Sequence, residues 1–537
     1  MRGQCSLPAA CYLAGFNRLC PLLGRIFIET PFIELFGWGG WKADRVSEAS
    51  KRPSLGPPGS RPSQRAPKRL VTFVVAHKRF SVKEIPIAFL PKIDRGLIRP
   101  IYKLTLPVFL GSQLDNLVGL ADIYMVGHLG VDAMSAVGIA RTLTMVVTVA
   151  MVAVTTGAFT LVAQAIGAGD PKEASSAAKQ ALTLVGFVGL GLSVIGLAIA
   201  SPALYFLSPS AEVARLGIPY LMVFFGGLVF MNLNYAVQNC LHGAGDTRTP
   251  LYINLLISAV KLLASYGLIY GEWGLPALGI AGAAIGSVIG RIVGLVVGLW
   301  ALHSGRFALA FLPGTSYRPE RELTRRIFKI GIPAALQGFF RNGSNLVFVK
   351  FLALTHSPIA AVAAFTVGGQ IERILRRGSL SFGTAAQTLV GQHIGSGDLD
   401  RADRYGWTTM LIGPLSMLLL GLPIALLGTH YMGLFTQDAA VVQIGVAYLW
   451  AVVLAEPFMA LSIISGGGLR GAGDSRPPLN HTLVAQWLVR LPVSYVLAFV
   501  LGLDIYGLWI GLVVFSGVQG LLTSRRFAGG VWKTMRV

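Results

Sequence analysis

From about position 100 onward, runs of twenty or more mostly apolar residues follow one another almost without pause, each closed by a short stretch of Gly, Asp, Pro or Arg. A helix needs about 20 such residues to cross the roughly 30 Å hydrocarbon core of a bilayer. The pattern predicts twelve spanning helices, over 101–126, 133–165, 175–201, 213–240, 250–270 and 277–302, then 327–354, 359–392, 405–429, 441–467, 480–501 and 504–523. The first 95 residues do not share it, and the stretch 303–326 interrupts it midway.

The second half repeats the first. The segment Leu161-Val-Ala-Gln164-Ala-Ile-Gly167-Ala-Gly169-Asp170 returns as Leu389-Val-Gly-Gln392-His-Ile-Gly395-Ser-Gly397-Asp398, 228 residues on (164 to 392). The segment His242-Gly-Ala-Gly245-Asp246-Thr-Arg-Thr-Pro250 returns as Arg470-Gly-Ala-Gly473-Asp474-Ser-Arg-Pro-Pro478 at the same offset (242 to 470), and Leu106-Pro107 is echoed by Ile332-Pro333. Two copies of six spans each have the same orientation, so they are related by an axis along the membrane normal. The expected fold is an all-α integral membrane protein: two six-helix lobes (96–302 and 327–525), a linker (303–326) and a cytoplasmic tail (526–537). Paired bundles of this kind enclose a central cavity whose access can alternate.

Composition agrees, with 53% hydrophobic and 13% charged residues and a mean hydropathy of +0.64, values a soluble chain of this length rarely reaches. A net charge of +21 could suggest nucleic acid, but the basic residues alternate with the loops. Lys172, Lys179, Arg248, Arg306, Arg318, Arg321, Arg325, Arg326, Arg401, Arg404, Arg470 and Arg476 fall in connections of one parity, against Arg215 in the other. The positive-inside rule places those loops and both termini in the cytoplasm, for a multi-pass protein of the cell's inner membrane. Nucleic acid is not expected as a partner, and a monomer is.

Residues 1–95 contain an apolar stretch broken by Arg25, Glu29, Pro31 and Glu34, then a Pro/Ser/Arg/Lys-rich run from Lys51 to Arg69. That run cannot support a core. The segment is either a start assigned too far upstream or a largely disordered cytoplasmic tail that touches anionic lipid. Cys5, Cys11, Cys20 and Cys240 form no CxxC and no disulfide framework, and no His or Cys spacing implies a metal site. The Gly-x-Gly-Asp segments lack the Lys-Ser/Thr ending of a nucleotide loop. Gly167, Gly169, Asp170, Gly245, Asp246, Gly395, Gly397, Asp398, Gly473 and Asp474 are expected in tight turns, with Gly ending one helix and Asp capping the next or pairing with a nearby Arg. No nucleophile or metal cluster marks an enzyme.

At these residues the chain resembles the multidrug and toxic compound extrusion (MATE) family of cation-coupled exporters, over essentially all of 97–525. The resemblance rests on Leu-Ala-Asp122-Ile-Tyr-Met-Val-Gly127-His-Leu-Gly at the end of span 1, on Gln-x-x-Gly-x-Gly-Asp after spans 2 and 8, and on Gly-Ala-Gly-Asp-Thr/Ser-Arg after spans 4 and 10. It implies two lobes in a V, a cavity between them for a small-molecule substrate, and antiport with H⁺ or Na⁺ and no other cofactor. Lipid or lipid-linked oligosaccharide flippases of the same superfamily are the alternative.

An ionisable residue at membrane depth costs at least ~2.5 kcal/mol on insertion scales, so each one invites a functional reading. Asp115 and Asp122 stand seven residues apart in span 1, about two turns, which puts both carboxylates on one face with Asn116 beside them. Asp122 matches the carboxylate that carries the proton in similar proteins. In span 5, where many relatives carry Asn and Asp four apart, this chain has Lys261 and Ser265, a departure that weakens a Na⁺ site. An ammonium close to Asp122 would compete with Na⁺ and hold the carboxylate ionised until substrate or a proton displaces it, unless Lys261 snorkels to a membrane surface. Asn232, Tyr235 and Asn239 share a face of span 4 by helical spacing and are expected in the cavity. In span 7 the sequence Phe339-Phe340-Arg341 puts an arginine where one branch of the family has a glutamate. Asn116, Arg341, Glu372 and Arg490 join the expected cavity lining, Glu372 being placed to pair with Arg376 one turn on. Glu456, before the helix-breaking Pro457, is the second-lobe candidate for proton or cation binding.

Overall fold

The computed structural model describes residues 95–208 and 210–535, apart from the side chains of 145–148. The expectations for residues 1–94 lie outside the described residues. Among those described, the chain is helical with short connections and no strand.

The first lobe contains α1 (Arg95–Gly127), α2 (Val131–Gly167), α3 (Pro171–Leu207), α4 (Ala211–Gly226 continued by Leu228–Gly243), α5 (Arg248–Tyr270) and α6 (Ile280–Ser304). The second contains α7 (Arg321–Leu352), α8 (Pro358–Gly395), α9 (Leu399–Leu426, with a last turn Gly428–Gly433), α10 (Ala439–Gly471), α11 (Arg476–Val500) and α12 (Asp504–Ala528). These are the twelve spans the apolar runs predict, in two lobes of six. The matched helices agree closely in length, as in α2 and α8 with 37 and 38 residues. The protein is therefore a multi-pass membrane protein with an internally duplicated fold. Large apolar side chains such as Phe187, Phe206, Leu346 and Ile359 are left exposed on the outside of the bundles, where lipid is the natural solvent.

By length and composition alone, nine of the spans are apolar enough to cross a bilayer, counting the bent α4 as one. The other three, α1, α7 and α8, carry Asp115, Asp122, Arg341, Glu372, Arg373, Arg376 and Arg377.

The two halves of α4 meet at 47°. The break falls at Gly226-Gly227, a pair that offers the helix little resistance to kinking. Gly227 also lets α6 come close, since a Cβ there would overlap Val288. Its counterpart α10 runs unbroken through Pro457.

The turns after α2, α4, α8 and α10 share one geometry. Gly169, Gly245, Gly397 and Gly473 have φ of +69°, +85°, +78° and +85°, the left-handed region in which glycine avoids a Cβ clash. Asp170 then accepts from the backbone N–H groups of Lys172 and Glu173 (3.0 and 2.9 Å), Asp246 from those of Arg248 and Thr249 (3.1 and 3.0 Å), and Asp398 from that of Arg401 (2.9 Å). Asp474 instead receives two hydrogen bonds from Arg526 of α12, at 2.9 and 2.8 Å. The capping and arginine-pairing roles expected of these aspartates are thus both present, divided among the four turns.

The segment between the lobes is tied to α3. The buried Lys179 donates to the carbonyls of Leu312 and Thr315 (2.9 and 3.1 Å), Gln180 accepts from the N–H of Glu320 (3.0 Å), and Glu173 pairs with Arg326 of α7 (2.8 Å).

Candidate functional site

The lobes meet at the end where these four turns lie, and the contact is reciprocal. Gln164 of α2 donates to the carbonyl of Gly471 (2.9 Å), and Gln392 of α8, its counterpart 228 residues on, donates to that of Gly243 (3.1 Å). Thr160 donates to the carbonyl of Arg470 (3.0 Å), and Thr388 to that of His242 (2.9 Å). Backbones touch here: a Cβ on Gly167 would run into the carbonyl of Gln392, and one on Gly395 into that of Gln164. Gly157 and Gly331 make a similar close approach to Ile327 and Ala153. The described side-chain hydrogen bonds between lobes all lie between this end and the level where Gln113 donates to Ile374 (3.3 Å) and Arg377 to Ser112 (3.2 Å). Gln164 and Gln392 were visible in the repeated segment, but nothing in the sequence shows that each glutamine crosses to the other lobe.

Two cavities open from this seam. One, of about 450 Å³, lies between the lobes and is lined by Asp115 of α1, Tyr235 and Asn239 of α4, Arg291 of α6, and Arg373, Arg376 and Arg377 of α8. The other, of about 440 Å³, lies within the second lobe against Val149, Val152 and Thr156 of α2. Its charged lining is Arg341, Glu372, Arg376, Glu456, Arg470 and Arg490. Arg376 and Leu380 belong to both linings, so this stretch of α8 is the wall between them.

Asp122 lines neither cavity. It is bonded through Oδ2 to the ammonium of Lys261, with both side chains largely covered (24% and 17% exposed), while its Oδ1 is buried without a hydrogen-bond partner. Arg141 of α2 lies over Gly119, one turn before Asp122 on α1. The two aspartates of α1 are thus divided between an ion pair with α5 and the cavity between lobes. Ser265, one turn after Lys261, is buried where Gly286 of α6 packs on it.

The remaining polar candidates separate as well. Tyr235 and Asn239 line the cavity between lobes, whereas Asn232, one turn earlier, packs against Gly189 of α3. The missing side chain of Gly189 draws that end of α4 onto α3. Asn116, expected in the cavity, lines neither one and instead donates to Gln113 on its own helix at 3.2 Å. Glu372 pairs with Arg376 and also accepts from the hydroxyl of Tyr448 of α10. Glu456, 4% exposed, accepts from Ser379 of α8 at 2.6 Å. Arg490, also 4% exposed, donates to Asn345 (2.6 Å) and Gln486 (3.0 Å), and its guanidinium lies 4.1 Å from the ring centre of Phe348. It ends a π-helical stretch, Val484–Arg490, a local widening often met at functional positions. Arg291 and Arg470 line the cavities although sequence reading did not select them. A single arginine in the middle of the apolar run Ile280–Ser304 was the available signal for the first. No group of three or more metal-binding side chains occurs among the described residues.

A family model described as MatE matches residues 107–266 and 333–496, once in each lobe. The chain is 29% identical over 455 residues to a "Probable multidrug resistance protein NorM" of Thermotoga maritima, covering 84% of this chain and 96% of that one. It is 25% identical over 438 residues to an "Uncharacterized transporter YisQ" of Bacillus subtilis, covering 80% and 94%. Among solved structures, a MOP superfamily transporter from Pyrococcus furiosus, whose binding pocket is described as of reverse polarity, superposes with a TM-score of 0.74 at 19% identity, over 81% of this chain and 96% of that one. An outward-facing multidrug resistance MATE transporter does so with a TM-score of 0.74 at 20% identity over the same shares. At such identities these structures speak for the fold.

Proposed function

Because the chain belongs to the MATE family of transporters, we propose that it is a secondary active exporter, moving small organic compounds out of the cell in exchange for inward-moving H⁺ by alternating access of its two lobes. The observation that carries this reading is the seam: reciprocal hydrogen bonds hold the lobes together at one end, and cavities lie beyond it. The basic loops adjoin the closed end, and the positive-inside rule makes that end cytoplasmic. The arrangement is then outward-facing, with both termini in the cytoplasm of a protein that works as a monomer in the inner membrane. Opening the other way requires the glutamine and threonine bonds to part and a second seam to form on the outer side.

Coupling is assigned to Asp122. Its partner Lys261 supplies the positive charge that a bound Na⁺ would otherwise bring, which favours H⁺ over Na⁺. Protonation of Asp122 releases the ammonium, loosens α1 from α5 and so biases the lobe toward its other arrangement. Besides the arginine-paired Glu372, Asp115 and Glu456 are the carboxylates that face a cavity and can exchange a proton with it. No resident cofactor and no catalytic step is part of this reading.

The test is efflux from proteoliposomes under an imposed ΔpH or Na⁺ gradient, with fluorescent cations and anions as cargo. Movement driven by ΔpH but not by Na⁺, and lost in Asp122→Asn, is the expected result. Movement that persists unchanged in Asp122→Asn overturns the coupling role. If no gradient moves any probe, the arginine-lined cavities speak instead for a flippase of phosphate-bearing lipids.

A further inference from the structure

The charge lining the two cavities is one-sided, and its sign is informative. The second-lobe cavity is lined by Arg341, Arg376, Arg470 and Arg490 against Glu372 and Glu456. The cavity between the lobes adds Arg291, Arg373 and Arg377 against Asp115. Seven guanidinium groups thus face three carboxylates, and the carboxylates are largely engaged. Glu372 is held by Arg376 and Tyr448, and Glu456 by Ser379. Among the described residues no carboxylate stands within ion-pair distance of Arg341, Arg470 or Arg490.

Arg490 is the most constrained of them. More than nine-tenths buried, it meets only the neutral oxygens of Asn345 and Gln486 and the faces of Phe348 and Phe515, and its Nε–H has no acceptor. Arg470 reaches only the amide oxygen of Gln337, at 3.4 Å. Guanidinium groups that line a cavity without counter-charge call for an anion, and their planar fork matches carboxylate, sulfonate or phosphate oxygens two at a time. Phe365, Phe515 and Met459 supply apolar wall beside them, fitting an aromatic or aliphatic body.

We propose that the cargo is an organic anion, an amphipathic carboxylate, sulfonate or phosphate ester, whose charged head is held by Arg341 and Arg490, which have no carboxylate partner, in the second-lobe cavity. The proposal rests on the exporter reading and names its substrate class. A cation in the same place would face four guanidinium groups. Export of an anion also runs with the inside-negative membrane potential, so exchange for H⁺ carries positive charge inward on both counts.

Equilibrium binding to the purified full-length protein tests this separately from transport. 6-Carboxyfluorescein is the anionic probe and ethidium the cationic one, each followed by fluorescence anisotropy. Carboxyfluorescein is expected to bind about tenfold or more tightly than ethidium, and Arg341→Gln and Arg490→Gln each to weaken it by about tenfold, the scale of one lost charge-assisted contact. Arg490→Lys, which keeps the charge but not the fork, is expected to fall between wild type and Arg490→Gln. Should Arg490→Gln fail to fold, Arg341→Gln decides, because that side chain is only half-buried. Ethidium binding without carboxyfluorescein binding overturns the proposal, as does anion affinity unchanged in Arg341→Gln. In proteoliposomes, ΔpH-driven ethidium efflux with no anion binding leaves the exporter standing and removes the anion. Anion binding with no transport of any probe upholds the site and removes the antiport.

Discussion

At corresponding places in α1 and α7, 226 residues apart as Pro107 is from Pro333, the first lobe holds Asp115 and Asp122 while the second holds Arg341 and Phe348. The cation contributed by the fifth helix of each lobe meets these positions in opposite company. Lys261 of α5 is salt-bridged to Asp122, whereas Arg490 of α11 lies on the ring of Phe348. The surroundings follow suit. The second lobe packs Phe348, Phe365, Tyr448 and Trp509 into one aromatic cluster, with Phe365 and Trp509 stacked at 6.3 Å. The largest buried cluster of the first lobe is mostly Ala, Val, Leu and Ile, Val154, Leu161, Val185 and Leu241 among them. Duplication has kept what shapes the helices and their turns, and has let the charge diverge. On the reading proposed above, the two lobes of one fold divide the labour, proton coupling in the first and cargo binding in the second.

The strongest way to break this division is Asp122→Asn. ΔpH-driven efflux is expected to fall to the level of protein-free liposomes, with normal elution on size exclusion. The mirror experiment, Glu456→Gln in the second lobe, is expected to leave coupling measurable, and loss of coupling equal to that of Asp122→Asn would show the labour to be shared. Stability sharpens the comparison next. Removing one partner of a covered ion pair strands the other, typically at about 3 kcal/mol or more, so Lys261→Met should lower the melting temperature clearly. Asp122→Asn combined with Lys261→Met should recover most of the loss, and a double variant no better than Lys261→Met would show that the pair contributes little.

The seam offers a smaller effect with a symmetry test built in. Gln164→Ala and Gln392→Ala each remove one hydrogen bond across the lobes, worth about 1 kcal/mol, and should shift the balance of open and closed states by similar amounts. Accessibility of a cysteine placed at Thr156, which lines the second-lobe cavity, reads that shift. Unequal shifts would mean that the reciprocal bonds are not equivalent in energy. The smallest effect is expected at the turns. Asp246→Ala removes an N-terminal helix cap, about 1 kcal/mol, while Asp474→Ala leaves Arg526 unpaired and should cost more in a thermal melt.

Much of this architecture was legible along the chain because bilayer thickness, helix rise and glycine sterics act on short segments. Twelve apolar runs and one repeated offset lead to two six-helix lobes, and left-handed glycines with capping aspartates explain the turns. The pairing of Glu372 with Arg376 was readable for the same reason, both residues lying on one turn of one helix. Helical spacing served less well where neighbouring helices decide. Asn232 shares a face with Asn239 on paper, yet Gly189 admits α3 to that end of α4 and takes Asn232 with it. Asp115 and Asp122 were readable as a pair on one helix, but their separation between a cavity and an ion pair with α5 depends on what packs against each turn.

The amino-acid sequence by itself thus determined the spans, their duplication, the turn chemistry and the presence of unusual charge in the membrane, all properties of local pattern and composition. Only the tertiary structure decided which lobe each charge serves. The crossing of Gln164 and Gln392 between lobes, the union of Asp122 with Lys261 across 139 residues, and the gathering of arginines from five helices around two cavities all join residues far apart in the chain. Such meetings are fixed by how closely backbones can approach, and at this seam by glycines whose missing side chains leave room for another helix's carbonyls.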